Sequence, residues 1–254
     1  MHCVLRSDLL SGAGFAHGFS LRGGGVSRPP FDSLNLGRSV GDDPASVAEN
    51  HLRLARQVGY AAERLFELSQ VHGRQVRRVG AHELPEQVQR EEGDALCTSE
   101  RGLALGVRAA DCLPLLLADP ETRAVAAVHA GWRGTVANVV PAAVHALTAL
   151  ASAPAHRLVA ALFPHIRACC FEVGDEVAAQ LMAASDAPCV VRRDQLRPHV
   201  DLAAVVRAQL LALGISATHI DDVAGCTRCE PERFFSFRRD GQASGRHLGV
   251  IVAG

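Results

Sequence analysis

Residues 103–129 constrain the fold most, because they contain three extended apolar runs in close succession. Residues 103–109 and 113–118 are almost entirely apolar over lengths typical of buried strands. The turn sequence Asp-Pro-Glu-Thr follows at 119–122, and residues 123–129 form the third run. This pattern predicts neighbouring buried strands and an antiparallel hairpin that closes at the turn.

Helices and strands are predicted in irregular order along the rest of the chain. A helix is expected at 43–58, where Asp43 precedes Pro44 at a favourable start. A strand–turn–strand hairpin is expected at 65–79. Further helices are predicted at 135–150, 174–184 and 202–213, and further strands at 158–163, 220–224 and 247–252. Because there is no strict βαβ alternation, the sequence favours an α+β fold over a doubly wound sheet.

Composition limits the domain count and the partners. With 254 residues, 48% of them apolar, the chain can bury one large core, and we expect a single domain of mixed β-sheets flanked by helices over residues 1–254. A net charge of −1 and only one Trp, one Tyr and nine Phe argue against nucleic acid as a partner. No apolar run has the ~18 residues of a membrane span and no signal-peptide pattern begins the chain, so we expect a cytoplasmic protein without membrane partners.

All 26 basic residues are arginines, and the chain contains no lysine. This absence excludes Schiff-base chemistry on a lysine, a Ser-Lys dyad and a Walker A phosphate site. GC-rich codons also give Arg in place of Lys, but the exclusion holds either way. Any bound anion must therefore be held by Arg, His, a metal ion or backbone N–H groups.

Cys112 and His129 lie at strand ends on either side of the predicted hairpin. If Ala118 faces Arg123, as symmetric pairing about the turn requires, Cys112 lies opposite His129 on one face of the sheet. Opposed residues have Cβ atoms about 4.5–5.5 Å apart, a separation that a tetrahedral metal ion can bridge. The alternative is that Cys112 is a small core thiol and His129 an ordinary strand-end histidine.

Nine short motifs follow one another over nearly the whole chain. They are HGFS at 17–20, RGGGVS at 22–27, LNLG at 34–37, SQVHG at 69–73, GDAL at 93–96, RAADCLP at 108–114, VHAGWRG at 128–134, CTRC at 226–229 and FFSFRR at 234–239. Together they resemble the YfiH or laccase-domain family, whose members were once called multicopper polyphenol oxidases. One stretch departs from it: FPHIRACCF at 163–171 lacks two glycines and a tyrosine hydroxyl of the family pattern, so the pocket contacts of this loop do not carry over.

The resemblance implies a YfiH-like fold and a metal site, usually zinc, formed by His72, Cys112 and His129. It also implies phosphorolysis of purine nucleosides (adenosine, inosine and methylthioadenosine), with adenosine deamination as a second activity. Purine nucleosides and inorganic phosphate are then the expected partners. Three protein ligands leave a fourth coordination position free, as in catalytic zinc sites, so the same three residues are the expected catalytic residues. Copper could occupy this site in vitro.

Phosphate needs cationic ligands, and without lysine the motif-borne arginines are the candidates. Arg22, Arg133, Arg238 and Arg246 suit the role because a guanidinium can bind phosphate through two hydrogen bonds, and Asn35 is a further candidate substrate contact. Each of these arginines could equally form an ordinary ion pair.

Three more side chains have two interpretations each. Asp94 and Asp111 could orient the ligand imidazoles or move a proton, or could simply cap turns. Trp132 could stack on a purine or fill space beneath the metal loop.

Other functions fit parts of the sequence. Cys112 beside His129 also resembles the nucleophile and base of a Cys- or Zn-dependent amide hydrolase. A four-copper laccase is disfavoured, because no two histidines are separated by a single residue, although weak copper-dependent phenol oxidation is compatible with one site. A metal-binding interaction module would take up zinc without turnover.

Cys226 and Cys229 form a C-x-x-C pair whose only possible partner pair is Cys169 and Cys170. A structural zinc site or a redox dithiol is conceivable. Adjacent cysteines make poor chelate geometry, so we expect ordinary thiols near a pocket wall.

Overall fold

Strands and helices interleave irregularly through residues 3–191 and 197–254, which the computed structural model describes. The strands are β1 (Val4–Leu5), β2 (His17–Ser20), β3 (Leu65–Phe66), β4 (Val76–Arg78), β5 (Ala95–Thr98), β6 (Ala104–Ala109), β7 (Leu113–Ala118), β8 (Val125–Ala130), β9 (Val159–Leu162), β10 (Val190–Val191), β11 (His199–Val200), β12 (Ile220–Asp222) and β13 (His247–Val252). The α-helices are α1 (Asp8–Gly12), α2 (Pro44–Val58), α3 (Pro85–Val88), α4 (Trp132–Val136), α5 (Val139–Ala151), α6 (Asp175–Ala183), α7 (Leu202–Ala212) and α8 (Phe237–Asp240). The predicted α+β class is confirmed. The single-domain prediction for 1–254 includes residues 1–2 and 192–196, which lie outside the described residues, and it stays a prediction.

Two sheets form the centre of the fold. One has five strands in the order β1-β2-β13-β6-β3, and the other has six in the order β12-β9-β7-β8-β5-β4. The chain passes from the five-stranded to the six-stranded sheet between β3 and β4, and again between β6 and β7. These two passages are called the crossing segments below.

The sheets share an apolar core that explains why their strands are apolar on both faces. Phe19 and Leu105 of the five-stranded sheet pack in one cluster with Leu116 and Ala127 of the six-stranded sheet. The other face of β7 and β8 packs against α5, α6 and α7, and the other face of β6 and β13 packs against α2. The result is a helix–sheet–sheet–helix arrangement in which the central strands are buried on both sides.

The β7–β8 hairpin has a different register from the one predicted. Ala118 pairs with Val125 instead of Arg123, because Arg123 adopts a left-handed conformation (φ 66°) and belongs to the loop. In that conformation its guanidinium donates hydrogen bonds to the carbonyl oxygens of Ala13 and Gly14. The shift is two residues, so each side chain keeps its predicted face.

Two other predicted elements are wrong in detail. Residues 65–79 do not form a hairpin, because β3 and β4 pair with strands of different sheets. The predicted helix at 135–150 is divided between α4 and α5 by Asn138, which is left-handed (φ 69°). The α2 helix begins as expected, with Pro44 in its first turn and the Asp43 side chain accepting a hydrogen bond from Ser46 N. None of the helices in the described residues is long and apolar enough to cross a membrane.

Candidate active site

The three residues predicted as metal ligands converge where the two sheets meet. His72 and Cys112 lie in the two crossing segments, and His129 lies in β8. The Cys112 Sγ atom is 3.8 Å from His72 Nε2, and the centroids of the two imidazole rings are 4.9 Å apart. All three ligand atoms lie within 4.8 Å of one another. Tetrahedral bonds of about 2.0–2.3 Å put ligand atoms about 3.3–3.8 Å apart, so the three side chains can surround one ion after a small adjustment.

Asp94 organises two of these three side chains. One carboxylate oxygen accepts a hydrogen bond from His129 Nδ1 at 2.8 Å, which leaves His129 Nε2 free as the ligand atom. The same carboxylate accepts hydrogen bonds from the backbone N–H groups of Val71, His72 and Gly73 at 2.6–3.2 Å. Burial raises the pKa of Asp94, but its bonds to His129 and to the backbone outweigh burial and lower that pKa. Asp94 is therefore a carboxylate that positions ligands.

A glycine leaves room for the ligand atoms. A Cβ atom on Gly131 would lie 3.0 Å from both Cys112 Sγ and His72 Cδ2, closer than ordinary van der Waals contact. His72 itself has a positive φ of 60°, a conformation uncommon for a residue with a side chain. Local backbone geometry is thus adapted to the close approach of the imidazole and the thiol.

Cys112 and His129 shift each other's protonation. Burial raises the pKa of the Cys112 thiol, but the charge and hydrogen bonds of His129 and His72 outweigh it and lower that pKa to about 6. Burial lowers the pKa of His129, while Cys112 and Asp94 raise it to about 9. At neutral pH these shifts favour a Cys112 thiolate beside a protonated His129, and a metal ion would displace the proton that His129 directs at the sulfur. The thiolate is the form that binds metal ions and also the form that acts as a nucleophile.

A cavity of about 710 Å³ opens onto the three side chains. Its wall includes four arginines, Arg108, Arg133, Arg238 and Arg246, and a single acidic residue, Asp111. Arg108 forms an ion pair with buried Glu67 at 3.3 Å. Within residues 3–191 and 197–254, no carboxylate lies within ion-pairing distance of the other three guanidinium groups.

The most enclosed of the three arginines is Arg246. Its guanidinium donates hydrogen bonds only to backbone oxygens, those of Ser244 at 2.7 Å and Gly245 at 2.9 Å. Burial lowers its pKa, while the nearby charges of Cys112 and Asp111 raise it. A half-buried cation with no carboxylate partner among the described residues makes the cavity favourable for an anion.

Arg22 and Asn35, predicted to contact substrate, do not line this cavity. Arg22 lies in a separate hollow, where it pairs with Asp32 at 3.2 Å. Asn35 is fully buried, and its Oδ1 atom accepts hydrogen bonds from the backbone N–H groups of Gly37 at 2.9 Å and Arg246 at 2.8 Å. The structure therefore brings Arg133, Arg238 and Arg246 to the metal ligands, and it connects Asn35 to them only through Arg246.

Asp111 connects the turn before Cys112 to the C-terminal motifs. Its carboxylate accepts hydrogen bonds from the Thr227 hydroxyl and from the backbone N–H of Arg238, both at 2.6 Å. These bonds join two segments of the cavity wall. Of the two aspartates predicted to orient a ligand imidazole, the one that contacts an imidazole is Asp94. Trp132 lines the cavity, where it could stack on a purine, and it also packs against the hydrophobic core, where it fills space.

The loop at 163–171 departs from the family pattern and has its own anchors. Arg167 pairs with Asp222 at 2.5 Å and donates a hydrogen bond to the Gly225 oxygen. Phe171 lines the cavity. The sequence analysis did not predict Phe237 as a site residue, but its exposed ring lines the cavity. Its place in the FFSFRR motif was the signal that could have identified it.

Two groups of side chains among the described residues could hold a metal ion, and the three ligands above form one of them. Among the described residues, that group contains the only two histidines on the cavity wall, which suits a single ion better than a cluster of coppers. The donor set fits such an ion, because Asp94 fixes the orientation of the His129 ring, the pKa of Cys112 is lowered and Gly131 leaves space. The fold and the site thus define an α+β protein in which three candidate metal ligands open into a cationic cavity.

The family described as multi-copper polyphenol oxidoreductase laccase matches residues 16–254, and the chain belongs to it. A protein of Streptomyces coelicolor named purine nucleoside phosphorylase is 43% identical over 244 residues, which cover 96% of this chain and 97% of that protein. A protein of an unknown prokaryotic organism named adenosine deaminase is 40% identical over 233 residues, or 89% of this chain and 88% of the relative. The crystal structure of the Bacillus licheniformis hypothetical protein YfiH superposes with a TM-score of 0.91 at 26% identity, covering 100% of this chain and 97% of that one.

Proposed function

We propose that this protein is a zinc-dependent purine nucleoside phosphorylase that acts on adenosine, inosine and methylthioadenosine and deaminates adenosine as a second activity. The names of similar proteins support the substrate class. The observation that carries the proposal is the meeting of the candidate metal ligands with three arginines that have no carboxylate partner in the described part of the chain, because phosphorolysis needs an anion site beside the reacting sugar.

Arg133, Arg238 and Arg246 are assigned to phosphate. All three also lie near aromatic rings on the cavity wall: Arg133 is 4.5 Å from the Trp132 centroid, Arg246 is 5.5 Å from that of Phe237 and Arg238 is 5.7 Å from that of Phe171. Cations beside aromatic rings offer adjoining places for a phosphate and a purine base. Arg22 and Asn35 are left with structural roles, Asn35 by fixing the backbone of Arg246.

In the proposed reaction an oxygen of phosphate bonds to the sugar carbon C1′ while the bond from C1′ to the purine nitrogen breaks. The electron pair stays with the purine, which takes up a proton, so inosine gives hypoxanthine and ribose 1-phosphate. The arginines hold phosphate in place and stabilise the charge that moves away from it. His72, Cys112 and His129 would hold the zinc ion, which as a Lewis acid would polarise a substrate oxygen or activate water for deamination.

The direct test is to incubate zinc-loaded protein with inosine, with and without inorganic phosphate. We expect hypoxanthine and ribose 1-phosphate only when phosphate is present. Product formation that does not depend on phosphate for any purine nucleoside would overturn the phosphorolysis. Deamination is tested separately, by the release of ammonia from adenosine.

Arginine substitutions test the anion site. Arg246→Ala is expected to raise the KM for phosphate at least about tenfold, because a charge-assisted hydrogen bond contributes about 1.5–3 kcal/mol. Arg22→Ala is the matched control, since it removes a guanidinium from the separate hollow, and its KM for phosphate should stay within about twofold of the wild type.

An amide hydrolase is the second candidate, favoured by the thiolate of Cys112 beside His129. Chelation distinguishes the two functions, because a covalent cysteine nucleophile would keep its activity without metal. Copper-dependent oxidation of a phenol at this site is a third candidate activity, and it is measured by adding copper and a phenol to the chelated protein. Zinc uptake without turnover of any nucleoside would instead indicate a metal-binding interaction module.

A further inference from the structure

Four cysteines outside the active site lie close together and are referred to below as the cysteine cluster: Cys169, Cys170, Cys226 and Cys229. Their sulfur atoms all lie within 4.8 Å of one another. Cys229 Sγ is 3.5 Å from Cys169 Sγ and 3.2 Å from Cys170 Sγ, and Cys169 Sγ is 3.6 Å from Cys226 Sγ. Four sulfurs around one zinc ion at about 2.3 Å are separated by about 3.8 Å. The cluster therefore already approximates a tetrathiolate site.

The adjacent cysteines overcome their poor sequence spacing through a tight turn. The backbone N–H groups of Cys170 and Phe171 both donate to the Arg167 oxygen at 2.9 Å, so the chain curls at 167–171. From this curl the sulfur atoms of Cys169 and Cys170 both come within 3.5 Å of Cys229 Sγ. The side chain of Arg167 anchors the curl to Asp222 and Gly225, and the sequence alone does not reveal these distant contacts.

The surroundings of the cluster suit thiolates bound to a cation. A short turn holds Cys226 and Cys229 close together: the Glu230 N–H donates to the Cys226 oxygen at 3.2 Å, and the Cys226 N–H donates to the Glu230 carboxylate at 2.8 Å. Arg228 lies between the cysteines of the C-x-x-C pair, and its positive charge would offset part of the negative charge of four thiolates. Cys169 and Cys229 are exposed, so an ion can enter from solvent.

We propose that the cysteine cluster binds a second, structural zinc ion through four thiolates, distinct from the ion of the active site. On binding, the four thiols release four protons and form four Zn–S bonds with no change of oxidation state. Four sulfur ligands and no open position make this a closed site. Thiolate sulfur selects zinc over the hard cations magnesium and calcium.

The second ion would hold one wall of the active-site cavity. Phe171, next to Cys170, lines the cavity. Thr227, between the cysteines of the C-x-x-C pair, donates to Asp111 beside Cys112. His165 and Cys226 form a parallel β-bridge that joins the two cysteine-bearing segments. The ion would therefore lock these segments together directly behind the substrate cavity.

Metal content measured on purified, reduced protein tests the proposal. We expect two zinc ions per wild-type chain, one in Cys112→Ala, one in Cys229→Ala and none in the double variant. Cys189→Ala removes a buried cysteine outside both groups and should keep two. Cobalt in the Cys112→Ala variant should give the intense sulfur-to-metal absorption of a tetrathiolate site, a readout that does not depend on nucleoside turnover.

Because Cys229 is exposed, its alanine variant should fold, and circular dichroism verifies this. One zinc ion per wild-type chain that Cys112→Ala removes completely would overturn the proposal. Iron in place of zinc, or a disulfide within the cluster of the reduced preparation, would overturn it as well. Wild-type protein that binds two zinc ions but turns over no nucleoside would contradict the proposed function and would still support the second zinc site.

Discussion

The buried carboxylate of Asp94 fixes two candidate ligands: it accepts a hydrogen bond from the imidazole of His129 and another from the backbone N–H of His72. These two ligands belong to a strand and to a crossing segment that are 57 residues apart in sequence number, so no local interaction could align them. A carboxylate that accepts four hydrogen bonds has no capacity left for proton transfer. Its contribution is therefore to ligand geometry.

Asp94→Asn is expected to lower zinc affinity at the active site about 10–100-fold, since an amide nitrogen cannot accept the bonds that the carboxylate receives. Competition with a chromophoric chelator measures this, in a Cys229→Ala background that silences the cysteine cluster. Asp119→Asn is the matched control, because it alters another fully buried carboxylate, away from the cavity. Wild-type affinity in Asp94→Asn would contradict the positioning role.

Gly131→Ala tests the space left for the ligands. The backbone of Gly131 (φ −71°) accommodates alanine, so the added methyl group acts by contact with Cys112 and His72 and not by backbone strain. We expect zinc affinity to fall severalfold while the unfolding temperature of the metal-free protein stays nearly unchanged. Gly12→Ala, which meets no atom within 4 Å, should change neither. A zinc affinity equal to that of the wild type would show that the ligands adjust freely.

Residue identities were the more predictable part of the site. Cys112 and His129 were paired from their strand positions, and His72 was added by resemblance. The arginines were predicted as a group, but only three of the four proposed ones face the cavity. Arg22 and Arg246 differ in their partners: Arg22 forms an ion pair with a carboxylate, whereas Arg246 donates hydrogen bonds to backbone oxygens. Such partners come from segments distant in sequence, so no motif reveals them.

At the scale of elements, apolar runs predicted strands well and connections poorly. The ends of β7 and β13 agree with the prediction, because runs buried on both faces end where polar turns begin. The predicted register of the hairpin was wrong, because the register depends on Arg123, whose left-handed backbone is accompanied by a hydrogen bond from its side chain to a distant carbonyl group. Since the error was two residues, Cys112 still faces the same side as His129. A one-residue error would have separated them.

The loop of this hairpin depends on buried Asp119, which binds Arg157 at 2.5 Å and the backbone of the loop. Burial raises the pKa of Asp119, but its bonds to Arg157 and Thr122 outweigh it and lower that pKa. The folded state therefore binds fewer protons than the unfolded state. The resulting stability is present above the unfolded pKa of about 4 and is lost as the pH falls through the lower folded pKa.

Asp119→Asn should accordingly reduce the free energy of unfolding by about 1–3 kcal/mol at neutral pH, with a difference from wild type that narrows below about pH 4. Urea unfolding at several pH values measures it. Glu121→Gln removes the exposed carboxylate that also pairs with Arg157, and should cost less than about 1 kcal/mol. A constant difference across the pH range would rule out the carboxylate as the cause.

For the whole molecule, the metal ligands join the two sheets. Both crossing segments contribute a ligand, and β8 contributes the third. An ion bound there connects the five-stranded sheet to the six-stranded one at the place where the chain passes between them. Zinc should therefore stabilise the entire fold and not only the cavity.

Zinc at about 100 times its Kd should add about 2.7 kcal/mol to the free energy of unfolding. For a chain of this size we expect a rise of about 5–11 °C in Tm. Thermal unfolding of the Cys229→Ala variant measures the active-site ion alone. Adding Cys112→Ala should abolish the rise, and a rise that persists would mean that zinc stabilises the protein elsewhere.

The separation of the ligands along the chain also fixes when each ion can be acquired. His72 and Cys112 are 40 residues apart, so an unfolded chain presents no chelating set for the active-site ion. The cysteine cluster instead contains one local C-x-x-C pair, Cys226 and Cys229, which can capture an ion before any sheet exists. A newly synthesised chain should thus load the proposed structural ion early and the proposed active-site ion last, so that partly folded molecules lack the metal on which the proposed activity depends.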